Sequence, residues 1–105
     1  MVKVCVNGGI CGFQTEISID GNGDKLTEVK FVTQCPNLKP LETELTVLDG
    51  FRECFSSLDE TDTYTISKPY VRHPGCPVPS AIIKGIEVAC GFALPKDPEI
   101  TIRKD

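Results

Sequence analysis

Phe13-Gln14-Thr15-Glu16-Ile17-Ser18-Ile19 and Thr27-Glu28-Val29-Lys30-Phe31-Val32-Thr33 decide the fold, with Asp20-Gly21-Asn22-Gly23-Asp24 between them. In the first run Phe13, Thr15, Ile17 and Ile19 alternate with Gln14, Glu16 and Ser18. In the second, Thr27, Val29, Phe31 and Thr33 alternate with Glu28, Lys30 and Val32. A period of two puts one set of side chains on a core and the other in water, the pattern of half-buried antiparallel strands. The Gly- and Asp-rich middle is a turn. A hairpin centred on Gly23 pairs Phe13 with Thr33, Thr15 with Phe31 and Ile17 with Val29, and it sets Cys11 opposite Cys35.

Upstream, Val2-Lys3-Val4-Cys5-Val6 alternates in the same way and Asn7-Gly8-Gly9 turns the chain, so three strands form a meander. Downstream, after Cys35-Pro36-Asn37, the period changes. Leu41, Leu45, Leu48, Phe51 and Phe55 recur at three and four residues, which predicts an amphipathic helix with Asn37 as N-cap and Pro40 in its first turn. Thr63-Tyr64-Thr65-Ile66 reads as a short strand. Val78, Ile82, Ile86, Ala89 and Ala93 form the stripe of a second helix, with Pro79 in its first turn. Glu99-Ile100-Thr101-Ile102-Arg103 alternates and reads as a last strand. The expectation is one α+β domain over residues 1–105, a two-layer sandwich. A mainly antiparallel sheet of four or five strands carries two helices on one face, in the order βββα(β)αβ. Its core should hold Val4, Phe13, Ile17, Phe31, Leu41, Leu45, Leu48, Ile82, Ile86 and Ile102.

The chain has 105 residues, 40% of them hydrophobic and 25% charged, with a net charge of −4. That length supports one core and not two. The 11 Lys and Arg are scattered and there is no Trp, so the positive footprint and stacking platforms of a nucleic-acid surface are lacking. The apolar runs are too short to span a bilayer. Met1-Val2-Lys3-Val4-Cys5-Val6 has no small-residue cleavage site, so the expected location is the cytoplasm, with reduced thiols and no structural disulfide.

Six cysteines and one histidine are the unusual feature. Cys35 and Cys76 each precede a Pro at the start of a predicted helix, in Cys35-Pro36-Asn37 and Cys76-Pro77-Val78-Pro79. The positive end of a helix dipole favours a thiolate there. If the helices run down from the sheet end that carries Cys11 and Cys35, Cys76 arrives at that same end, with His73 three residues before it. Cys5 and Cys90 read as small core hydrophobes. Cys54 lies far along the first predicted helix.

The segment from His73-Pro74-Gly75-Cys76 to Leu94-Pro95-Lys96-Asp97-Pro98, with Gly9-Ile10-Cys11-Gly12-Phe13, resembles a family of small uncharacterised proteins of methanogens and other anaerobes. That resemblance implies an anaerobic cytoplasm and no assigned activity. Locally, Cys76-Pro77-Val78-Pro79 with Lys84 beyond it resembles the Cys-Pro-x-Pro motif of the TusA/SirA-type sulfur-carrier family. That likeness implies a persulfide carried on Cys76.

Three functions follow as expectations. The first is a metal-binding or iron–sulfur site in which Cys11, Cys35 and Cys76 hold Zn or a cluster, with His73, or alternatively Cys54, as the fourth ligand. The second is a sulfur carrier or thiol-redox protein with Cys76 as nucleophile and Cys11 or Cys35 as resolving thiol. The third is a structural or interaction module with a protein partner and no chemistry.

Overall fold

A computed structural model describes residues 1–21 and 26–105. The expected turn at Asp20–Asp24 falls mostly outside the described residues. The fold is α+β, a four-stranded antiparallel sheet in the order β1-β2-β3-β4 with helices packed on it. Strands β1 (Val2–Asn7), β2 (Gln14–Gly21) and β3 (Leu26–Thr33) form the meander that the alternation predicts. Ile17, Ile19, Val29 and Phe31 are buried on one face. Lys3, Glu16, Glu28 and Lys30 are exposed on the other, so one face is polar and all the helices share the apolar one.

The hairpin register differs from the expected one by two residues: Thr15 pairs with Thr33, Ile17 with Phe31 and Ile19 with Val29. A shift of two keeps every side chain on its face, which is why the core reading survives it. It does remove the direct opposition of Cys11 and Cys35. Phe13 loses its strand partner and is 40% exposed, outside the core.

The first predicted helix is three elements. Cys35 to Pro40 makes turns, α1 is Leu41–Glu44, β4 is Val47–Asp49 and α2 is Gly50–Phe55. Leu45-Thr46-Val47-Leu48 carries β-branched residues that favour an extended chain. Thr27 pairs with Leu48 across the sheet. Asp49 then caps α2, its carboxylate accepting from the backbone N–H groups of Phe51 and Arg52 at 3.1 and 3.2 Å. Leu41, Leu45 and Leu48 all reach the core, so a helix–strand–helix path imitates one helical stripe. The N-cap of α1 is Pro40, not Asn37, and Phe51 and Phe55 are exposed. They meet Phe92 in an aromatic group with ring centroids 4.9 to 6.4 Å apart.

Thr63–Ile66 is helical and not a strand, because it lies in α3 (Asp62–Ser67), whose N-cap Thr61 accepts from the Tyr64 N–H. Helix α4 (Val78–Ala89) forms as the stripe predicts, with Val78, Ile82 and Ile86 buried. The expected last strand does not form. Residues 94–105 have no regular structure, and Ile102 is exposed, not core. Alternation alone gives a strand no partner. None of the helices among the described residues is long and apolar enough to cross a membrane.

Helix α4 lies along β1 and β2 with its direction fixed by two glycines. A Cβ on Gly85 would come within 2.6 Å of both Ile19 Cδ1 and Val4 Cγ2, and a Cβ on Gly21 within 2.7 Å of the Ala89 carbonyl oxygen. The C-terminus of α4 therefore sits at the Gly21 end of β2. From Gly85 back to Val78 is about 10 Å of helix, or roughly three strand residues. The N-terminus of α4 therefore reaches the Asn7–Gln14 end. Gly85→Ala should show the closeness of this packing. Ala gains about 1 kcal/mol of helix propensity, but forcing a methyl between Ile19 and Val4 costs roughly 1–3 kcal/mol. We expect a net loss near 1 kcal/mol in a urea titration; a stabilised variant would mean that the helix rides higher on the sheet.

Candidate functional site

The end of the sheet where α4 begins also holds the β1–β2 and β3–α1 connections. Cys11 ends a short 3-10 turn, Gly9–Cys11, closed by Gly12 at φ 71°. It is exposed, and its sulfur lies against Gly8, leaving no room there for a Cβ. Cys35 follows β3, and its N–H donates to Thr33 Oγ1 at 3.1 Å. The backbone N–H of Gln34 donates to the Gln14 carbonyl at 2.9 Å, which ties the two connections together. His73 is exposed, and its carbonyl accepts from the Cys76 N–H at 3.0 Å. That bond closes a tight turn with Pro74 inside it, just before α4.

Cys11, Cys35 and Cys76 thus share one end of the sheet. Among the described residues, however, no three His, Cys, Asp or Glu side chains come together in a way that could hold a metal ion. The other thiols lie elsewhere. Cys5 faces outward opposite Glu16 and is exposed; it is not the core filler expected, because Val2, Val4 and Val6 take the inner face of β1.

Cys90 caps the far end of α4 and Cys54 stands on α2, both half-buried against the core. Burial pushes the Cys54 thiol up to about 12, with the charges of Glu87, Cys90 and Glu53 adding to the rise. Burial also raises Cys90, with a contribution from Asp49. A thiol held protonated is a poor nucleophile. Iodoacetamide at neutral pH should therefore modify Cys5 and Cys11 and leave Cys54 and Cys90 intact until the chain unfolds, as read by peptide mass spectrometry. The sign with pH follows. Because the folded thiol at Cys54 ionises far above the unfolded one, its contribution to stability is complete below about pH 8.5 and is lost as the pH climbs toward 12. Fast labelling of Cys54 in the native protein would contradict this.

Cys76 stands in a different setting. A cleft of about 580 Å³ opens between α3 with its following turn and the start of α4. Cys76 lines it with Tyr64, Ser67, Lys68, Arg72 and Ser80. Helix α3 supplies Tyr64 and Ser67, the turn supplies Lys68 and Arg72, and the first turn of α4 supplies Ser80. The Tyr64 hydroxyl and Ser80 Oγ are 3.4 Å apart across the cleft. Neither Lys68 nor Arg72 makes an ion pair with another described residue. Asp59 is the one carboxylate among the described lining residues, so the cleft is cationic on balance. Ser67 is 1% exposed and its Oγ has no hydrogen-bond partner among the described residues. Buried hydroxyls are nearly always satisfied, and no described residue satisfies this one.

Of these residues only Cys76 stood out in the sequence. No period marks Lys68 and Arg72, because they lie in the turn and irregular chain that follow α3. A second concavity, about 460 Å³ on the outer face of the sheet beside Asp20 and Glu28, has no thiol among its described lining residues. No curated protein and no solved structure matches the chain. The model of a family of unknown function (DUF6951) matches residues 2–102, and the chain belongs to that family.

Proposed function

We propose that this protein is a thiol-based sulfur carrier whose reacting atom is the sulfur of Cys76. One observation carries the reading: Cys76 is the thiol that lines a cleft also furnished with cations and a buried hydroxyl that have no partner among the described residues. The α4 N-terminus, Lys68 and Arg72 make the cleft beside that sulfur electropositive, although Pro77 and Pro79 each remove a donor N–H there. In the loading step the Cys76 thiolate attacks the outer sulfur of a persulfide donor. A new S–S bond forms on Cys76, the donor's S–S bond breaks, and the donor leaves as a thiolate with the electron pair.

The test is intact-mass and peptide mass spectrometry after exposure of the reduced protein to a small-molecule persulfide. One added sulfur on Cys76, released by a reductant, supports the reading. Sulfur distributed over Cys5 and Cys11 to the same extent defeats it. The thiolate metal or iron–sulfur reading, with Cys11, Cys35, Cys76 and His73 as ligands, is favoured by the shared sheet end of the three thiols. Anaerobic purification with elemental analysis and an absorbance spectrum decides it.

A further inference from the structure

We infer that the Cys76 cleft selects a small reactant bearing an anionic group, which Lys68 and Arg72 hold while Cys76 attacks the neighbouring electrophilic atom. This rests on the proposed role of Cys76 and adds the class of molecule presented to it. Three features point the same way. Lys68 and Arg72 both line the cleft, from the turn and irregular chain that follow α3, and have no carboxylate partner among the described residues. Two like charges on one cleft repel, and a bound anion relieves the repulsion. The Ser67 hydroxyl, buried and unpartnered in a residue of the same lining, is a donor for which the described residues offer no acceptor; a χ1 rotation toward the cleft would bring it to an anion oxygen. Finally, the N-terminus of the 12-residue helix α4 opens onto this cleft, and its dipole adds positive potential. Carboxylate and phosphate share the required chemistry.

The experiment compares two alkylating agents that differ in charge, iodoacetate and iodoacetamide, on the reduced full chain at low salt. In both reactions the thiolate forms an S–C bond and iodide leaves with the electron pair. Peptide mass spectrometry gives the rate at Cys76 and, as an internal standard, at exposed Cys11. The iodoacetate-to-iodoacetamide ratio at Cys76 should exceed that at Cys11 on the order of tenfold. It should fall to the Cys11 value in a Lys68→Gln/Arg72→Gln double variant, and with added salt. Both side chains are exposed, so the double variant keeps its core. Inorganic phosphate and acetate, added separately as competitors, tell which anion the cleft prefers, and Ser67→Ala should weaken that protection. Equal ratios at Cys76 and Cys11, with fast iodoacetamide labelling, would overturn the anion inference and leave the nucleophile standing. A Cys76 inert to both agents would overturn the proposed function and this inference with it.

Discussion

Replacing Glu53 by Ala is expected to destabilise the protein by about 3 kcal/mol or more, the largest single effect we foresee. Glu53 is 2% exposed, and a buried carboxylate is tolerable only when its oxygens are filled. Its Oε2 accepts from the Asp62 N–H at 2.9 Å and its Oε1 from the Thr63 N–H at 2.6 Å and from the Thr63 hydroxyl. Those N–H groups open α3, so a side chain of α2 caps the next helix and pins the two together. Alanine leaves two buried donors without acceptors and a void where the side chain stood. Glu53→Gln keeps the volume but turns an amide N–H₂ toward one donor. Its cost should be smaller, about 1–2 kcal/mol. Denaturant titration of both variants checks the order. If Ala is the milder change, α3 is held by something other than this carboxylate. Because α3 carries Tyr64 and Ser67, loosening it should also widen the Cys76 cleft, so the anion preference should weaken before the fold is lost.

What the sequence made legible was whatever a period imposes. The alternation in β2 and β3 set their faces, and the stripe from Val78 to Ile86 set α4, because each pattern has one compact solution. Where two solutions share a pattern the reading failed. Leu41, Leu45 and Leu48 satisfy a helix, but they equally satisfy α1 and β4 folded onto one core. Only Thr46-Val47 and the capping Asp49 speak for the second. Ile100 and Ile102 alternate like a strand, yet pairing is a tertiary event and they find no partner among the described residues. The site was legible in part for the same reason. Cys76 announced itself by standing before prolines at a helix start. Ser67, Lys68 and Arg72 became visible as a group only once α3 and the turn after it proved to bring them to one cleft.

Cys76→Ser should abolish sulfur loading while barely changing stability. The side chain lines the cleft and touches only the edge of the core, so exchanging sulfur for oxygen removes part of one contact, and a loss within about 1 kcal/mol is expected. Serine is nearly isosteric, but its hydroxyl does not ionise at neutral pH and forms no persulfide, so loading falls to the background of Cys5 and Cys11. The contrast with Cys54→Ser separates chemistry from structure. Cys54 is packed against the core and held protonated; its replacement places a hydroxyl in apolar surroundings and should cost stability, on the order of 1–2 kcal/mol, with loading at Cys76 intact. A Cys76→Ser protein that still gains one sulfur per chain, at a single other cysteine, would move the carrier role to that residue. One that loses stability and loading together would show that Cys76 is part of the packing of α4, and that the sulfur it accepts is incidental.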